Sequence, residues 1–264
     1  MPNSSKPLVR TRGDRRTLEF APGDIQSEMR LSRPTALVLA YARAMMGFAF
    51  FVPRPRHILM VGLGGGSMAK FCHRHFPDAR ITVLELRADV IALREDFLVP
   101  PDDGRFRVVH ADAAPWIAGA AADGLSADVI VVDGFDAAGL PPALSSLPFY
   151  RDCRSLLAPG GVLAANVFSY DPRHDAVLDA LGAAFDGRTC QLRGVAGNNR
   201  ILFAVAGPGG RAARLQQRLA RHGALLPLPG RGLLNRLGVR LLLNYLAWRS
   251  VLASPHPGPP QAFP

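Results

Sequence analysis

The chain has 264 residues, 48% of them hydrophobic, with a net charge of +10 and three cysteines. This length and apolar content exclude a disordered chain and suffice for one large α/β domain with its own core plus extensions. Cys72, Cys153 and Cys190 have no metal spacing and no even count, so they read as reduced structural thiols, and the expected compartment is the cytoplasm.

The opening stretch "MPNSSKPLVRTRGDRRTLEF" has no apolar core of a secretory signal. Residues 7–20 within it read as a short hairpin turning at "GDRR". Residues 32–50 read as an apolar helix, with Ser32 as its cap and Pro34 in its first turn. Arg43 inside this stretch argues for a buried helix of a soluble domain over a membrane span.

Strands then alternate with helices. "HILMVGLGGGS" is strand and glycine loop, followed by a helix over 67–76. "ARITVLEL" is a strand ending in Glu85, followed by a helix over 87–97, and "RFRVVHADA" is a strand ending at Asp112, followed by a helix over 114–122. "ADVIVVDGFD" is the fourth strand, "PFYRDCRSLLAPGG" a helix with a Pro-Gly-Gly stop, and "GVLAANVFS" the fifth strand, before a helix over 173–185. A hairpin across Asn198-Asn199 closes the series. The pattern predicts an α/β Rossmann-like fold, a doubly wound, mostly parallel sheet with one antiparallel strand. The expected divisions are an N-terminal hairpin segment over 1–31, a catalytic domain over 32–206 and a basic helical extension over 207–264 with a proline-rich, disordered end.

The charge is uneven. The extension has no acid and eight arginines, which leaves +2 of the +10 to residues 1–206. Such a tail could touch nucleic acid or an anionic membrane. Because only Lys6 and Lys70 are lysines among 31 basic residues, a solvated, arginine-rich helix face is favoured.

Ligands of open α/β sheets sit beyond the carboxyl ends of the strands. "GLGGGS" at 62–67 stands there, where glycines let a ligand approach the backbone. Glu85, about 20 residues on, suits hydrogen bonds to ribose hydroxyls. Asp112 can accept from an adenine amine while the Ala113 N–H meets a ring nitrogen. Loop, ribose acid and third-strand acid together point to an adenosyl ligand, and the third acid favours S-adenosylmethionine chemistry over NAD. Asp133 and Asp136 then fall at the tip that faces the reactive sulfonium, where a carboxylate holds a cation or deprotonates an amine.

Over about residues 8–206 the chain resembles the spermidine synthase (polyamine aminopropyltransferase) family. The resemblance rests on "IQSEMRL", "YARAMM", "ILMVGLGGGS", "VLEL", "HADA", "VIVVDGFDAAGLP" and "PFYRDCRSLLAPGGVLAANV". It implies the S-adenosylmethionine-dependent methyltransferase fold. Gly62, Gly64, Gly65, Gly66, Glu85, Asp112 and Ala113 would bind the donor, Asp133 would accept the amine proton, and Asp136, Tyr41, Gln26 and Tyr150 would bind substrate. Two positions depart from the family pattern. Gly65 stands where the family has the acid that grips the aminopropyl amine, and the family's Tyr-His pair is Tyr41-Ala42 here.

Three functions are therefore weighed. The first is aminopropyl transfer from decarboxylated S-adenosylmethionine to a di- or polyamine. The second is methyl transfer from S-adenosylmethionine itself on the same scaffold. The third is a nucleoside-binding module docked through its basic tail. No metal is expected, and the expected partners are a small-molecule amine and a second copy in a homodimer.

Overall fold

A hairpin built on "GDRR" has to bury its apolar side somewhere, and a third strand completes it. The computed structural model describes residues 6–134 and 139–207. In it β1 (Leu8–Arg12), β2 (Arg15–Glu19) and β3 (Ile25–Arg30) form one antiparallel sheet in that order. The expected hairpin is thus two-thirds of a three-stranded sheet. β3 shows no simple alternation: Ser27, Glu28 and Met29 are all buried. Its polar residues are buried with partners, Glu28 on Arg15 at 2.7 Å and Ser27 against Ser67 at 3.3 Å.

The helix expected over 32–50 is much shorter. Ser32 caps nothing; its N–H and hydroxyl both donate to Asp14, each at 2.7 Å, tying the exit of β3 to the first turn. Regular helix starts only at α1 (Ala40–Met45) and tightens into a 3₁₀ turn over Met46–Phe50. Ala42, Ala44, Met45, Met46 and Phe48 are all buried, so the apolar content of this stretch serves the core. Among the described residues no helix is long and apolar enough to cross a membrane.

The main layer alternates as the pattern predicts: β4 (His57–Val61), α2 (Ser67–His75), β5 (Arg80–Glu85), α3 (Ala88–Ile91), β6 (Phe106–His110), α4 (Ala113–Ala122), β7 (Ala127–Val132), α5 (Leu147–Leu156), β8 (Leu157–Phe168), α6 (His174–Ala184), β9 (Thr189–Ala196) and β10 (Asn199–Val205). The sheet order is β6-β5-β4-β7-β8-β10-β9. β4 to β8 run parallel, and β10 pairs antiparallel with both β8 and β9. One strand is antiparallel, as expected.

Several boundaries moved for local reasons. α3 stops at Ile91 instead of running to 97, and the chain goes on in turns to Leu98 at φ 53°. β6 ends two residues before Asp112, which caps α4 instead of closing the strand. The Pro-Gly-Gly stop lies inside β8, where the pairing with β7 jumps from Leu157 to Val162. The hairpin turns on Gly197-Asn198, one residue earlier than expected, with Gly197 at φ 61°.

Alternate strand residues feed two cores. Ile58, Met60, Ile81, Val83, Val129 and Val131 pack on one face with Met45, Phe48 and Cys72. Leu59, Val61, Leu84, Ile130 and Val132 pack on the other with Ile117, Tyr150 and Leu181. Both faces covered is the condition under which a parallel sheet is stable. Asp136 and the extension from 208 onward, with its expected helices and docking role, lie outside the described residues.

Candidate active site

A cavity of about 380 Å³ opens at the carboxyl ends of β4, β5 and β7, with Gln26 of β3 and Tyr41 of α1 on its opposite wall. This is the end of the sheet at which open α/β folds bind ligands.

The glycine loop is locked to the neighbouring strand tips. Gly62 has φ 92°, and a Cβ on it would lie 2.4 Å from the Asp133 carbonyl oxygen. Only glycine allows that approach. The Gly62 N–H donates to Leu84 O at 2.8 Å and the Asp133 N–H to Val61 O at 2.9 Å, so the loop leaves the sheet with its ladders intact. Glu85 reinforces it from β5: Oε2 accepts from the Leu63 N–H at 2.8 Å and Oε1 from the Arg87 N–H at 2.9 Å. Each carboxylate oxygen keeps a lone pair for the cavity that the residue lines. Asp112 accepts from the Ala114 N–H at 3.1 Å as the cap of α4, and with Ala113 it also lines the cavity.

Asp133 stands at the tip of β7. Asn166 Nδ2 donates to its Oδ1 at 2.9 Å, and Asn199 Nδ2 donates to Asn166 Oδ1 at 2.9 Å. The Tyr41 hydroxyl acts on the same carboxylate, with Gln26 O at 3.4 Å as an alternative acceptor for its one proton. Burial pushes the Asp133 carboxyl above its ordinary value, and the hydrogen bonds from Asn166 and Tyr41 pull it back. Burial, and then the Asp133 charge, hold the Tyr41 phenol well above its ordinary value, so Tyr41 is a fixed donor.

The lining is acidic: Asp24, Glu28, Glu85, Asp112 and Asp133 face it, against Arg87 as its one cation among the described residues. The Arg87 guanidinium is engaged by Asp89 at 2.7 and 2.9 Å and lies 4.7 Å from the centre of the Phe20 ring. Such a wall favours a cationic ligand.

The family model for the spermine/spermidine synthase domain matches residues 38–177. The chain belongs to the spermine/spermidine synthase family. Its similarity to the polyamine aminopropyltransferase of Chromobacterium violaceum is 38% identity over 193 residues, covering 73% of each chain. A probable spermidine synthase from Corynebacterium glutamicum shares the fold at a TM-score of 0.64 and 23% identity, over 82% of this chain and 84% of that one. Human Methyltransferase-like protein 13, solved in complex with SAH, matches at a TM-score of 0.57 and 28% identity, over 69% of this chain and 91% of that one. The fold of this chain is thus similar to that of a probable spermidine synthase and of a methyltransferase-like neighbour.

Most residues that the sequence singled out converge on the cavity: Gln26, Tyr41, Gly62, Gly64, Glu85, Asp112, Ala113 and Asp133 all line it. Gly65 and Gly66 belong to the same loop but face inward. A Cβ on Gly65 would meet Ser27 Oγ at 2.7 Å and the Phe97 ring at 2.8 Å. The space that a side chain at position 65 would need is therefore filled by packing, since Phe97 is itself in the core. Tyr150 is not brought to the cavity; it is fully buried on α5 in the core of the opposite sheet face, beside Phe149. Sequence reasoning missed Asn166 and Asn199. The available signal was a lone amide in the apolar run "VLAANVF", where an uncharged polar residue needs a buried partner.

Proposed function

We propose that the protein is a transferase that moves an aminopropyl group from decarboxylated S-adenosylmethionine to a di- or polyamine, with Asp133 as the base. Membership of the family and the names of the relatives support the reaction class. The observation that carries the reading is the Asp133 carboxylate, recessed at the strand tip with one oxygen tied to Asn166, in an acid-lined cavity.

In this reading Glu85 holds the ribose hydroxyls and Asp112 with Ala113 the adenine edge. The glycine loop lies along the donor. The acceptor ammonium gives a proton to Asp133, and its freed nitrogen attacks the carbon beside the sulfonium. The carbon–sulfur bond breaks, its electron pair stays on sulfur, and methylthioadenosine leaves. Tyr41 and Gln26 border the acceptor. Asp136 keeps the role the resemblance implies, holding the far ammonium. Three unpaired cysteines fit the cytoplasm as the site of action.

A second reading, methyl transfer from S-adenosylmethionine, has one observation in its favour. The filled space at Gly65 removes the acid that would grip an aminopropyl amine and repel a donor carboxylate. Isothermal titration with the two donors separates the readings. Binding of the decarboxylated donor, with formation of a longer polyamine, supports the first; binding of the carboxylated donor alone overturns it.

A further inference from the structure

Asp133 is oriented by a side chain that is itself oriented from another strand. Asn166 and Asn199 are diagonal neighbours across the β8–β10 pair, since Asn166 pairs with Ile201 and Asn199 with Phe168. Side chains two apart in a strand share a face, so both amides project on the same side of the sheet. An ionised carboxylate only accepts hydrogen bonds, so Asn166 must turn its NH₂ to Asp133. Its carbonyl then points away from the acid, in a side chain only 2% exposed. A buried carbonyl there needs a donor, and Asn199 Nδ2 supplies it at 2.9 Å.

We infer that Asn199 and Asn166 form a two-amide relay that aims Asp133 and keeps it ionised, with Asn199 acting as a positioning residue at one remove from the base. The inference rests on reading Asp133 as the proton acceptor. The two amide dipoles run head to tail, with their positive end at Oδ1. Oδ1 is fixed by Asn166, and the Tyr41 hydroxyl is the second donor to the carboxylate. Without the donor at position 199, the buried Asn166 carbonyl loses its partner and its hold on Asp133 loosens; with an acceptor there, the Asn166 amide gains by turning over and showing its carbonyl to Asp133. That arrangement suits a protonated acid.

The groups that face Asp133 leave this relay as its adjustable part. Tyr41 is the titratable side chain acting on it from α1. The β4 loop presents the backbone of Gly62, and Glu85 on β5 accepts from Leu63 and Arg87.

The test uses Asn199→Leu, which removes the donor, and Asn199→Asp, which replaces it with an acceptor. Two readouts are taken: the pH profile of kcat/KM, and the titration of the Asp133 carboxyl by ¹³C NMR in substrate-free protein. Binding of methylthioadenosine marks each variant as folded. A hydrogen bond to a charged group shifts a pKa by about one to two units. One step removed, both variants are expected to raise the acid limb and the NMR titration, by roughly half a unit in Asn199→Leu and about one unit in Asn199→Asp. If both titrations stay at the wild-type position, the relay is wrong. If only Asn199→Asp moves them, the new charge is responsible and the relay is again wrong. If the wild type transfers no aminopropyl group, the reading of the reaction falls, while the NMR titration still decides the relay.

Discussion

Glu85 and Asp133 stand at the tips of β5 and β7, on either side of β4, and the same functional group ends in two different states. Each oxygen of Glu85 accepts from a backbone N–H of the loop or turn beside it. Asp133 is desolvated and held by side chains alone at its carboxylate, the Asn166 amide on one oxygen and the Tyr41 hydroxyl. The first carboxylate is built into the backbone that it braces, which suits holding a ligand. The second is tuned by replaceable side chains, which suits taking up a proton. Position at the sheet end makes both acids candidates for the ligand; the source of their hydrogen bonds separates their roles.

Removing either acid tests that division. Asp133→Asn keeps the shape and most of the hydrogen bonding but cannot accept the proton. Turnover is expected to fall about 10³-fold, within the range for loss of a general base, while methylthioadenosine affinity by calorimetry stays within a few-fold. Loss of affinity equal to the loss of rate would erase the contrast with Glu85. Glu85→Ala should do the reverse: affinity for methylthioadenosine falls roughly 10–100-fold, in line with losing charged hydrogen bonds of about 1.5–3 kcal/mol. The melting temperature should fall as well, because the Leu63 and Arg87 N–H groups lose their acceptor.

Two further changes leave both acids in place and disturb the loop between them. Lys70, on α2 behind that loop, is buried and donates to Phe97 O at 2.5 Å. Burial brings its pKa from 10.5 down to about 8. Between those values the unfolded chain binds more protons than the folded one, so wild-type stability rises with pH from about 8 towards 10.5. Lys70→Met should remove a rise of roughly 2–3 kcal/mol, seen by comparing urea midpoints at pH 7.5 and 10. Gly65→Asp adds a carboxylate against Ser27 and Phe97. It should cost about 1–3 kcal/mol as an overpacked site, and a cycle with Phe97→Ala should show coupling of about 1 kcal/mol.

What the sequence made legible follows the range of the interactions. Strand and helix alternation from β4 to α6, the glycine loop and the acids at the strand ends are local patterns, and each appears near its expected place. The cap formed by Asp112 is local too, yet its helix role was hidden behind its strand-end position. The third strand escaped because Ser27 and Glu28 break the apolar alternation with partners on other elements. The long helix over 32–50 failed for a similar reason: Asp14 claims Ser32 from 18 residues away. The Asp133–Asn166 and Asn166–Asn199 bonds each bridge 33 residues, and Phe97 lies 32 positions beyond the glycine whose space it fills. No window of sequence contains those pairs.

The relay has a consequence for how the protein is made. β10, which carries Asn199, is the last of the described strands in chain order, yet it inserts between β8 and β9. The wall over the cavity comes first: β1 to β3 leave the ribosome before every main strand, and Leu18 and Met29 then wait for the core that buries them. A short three-stranded sheet without that core is marginal in water. A nascent chain therefore displays Glu85, Asp112 and Asp133 before Asn199 can reach Asn166. If the proposed relay holds, Asp133 acquires its full orientation when the final strand enters the sheet and Asn199 reaches Asn166, so an unfinished chain would carry the acids of the site before their last support.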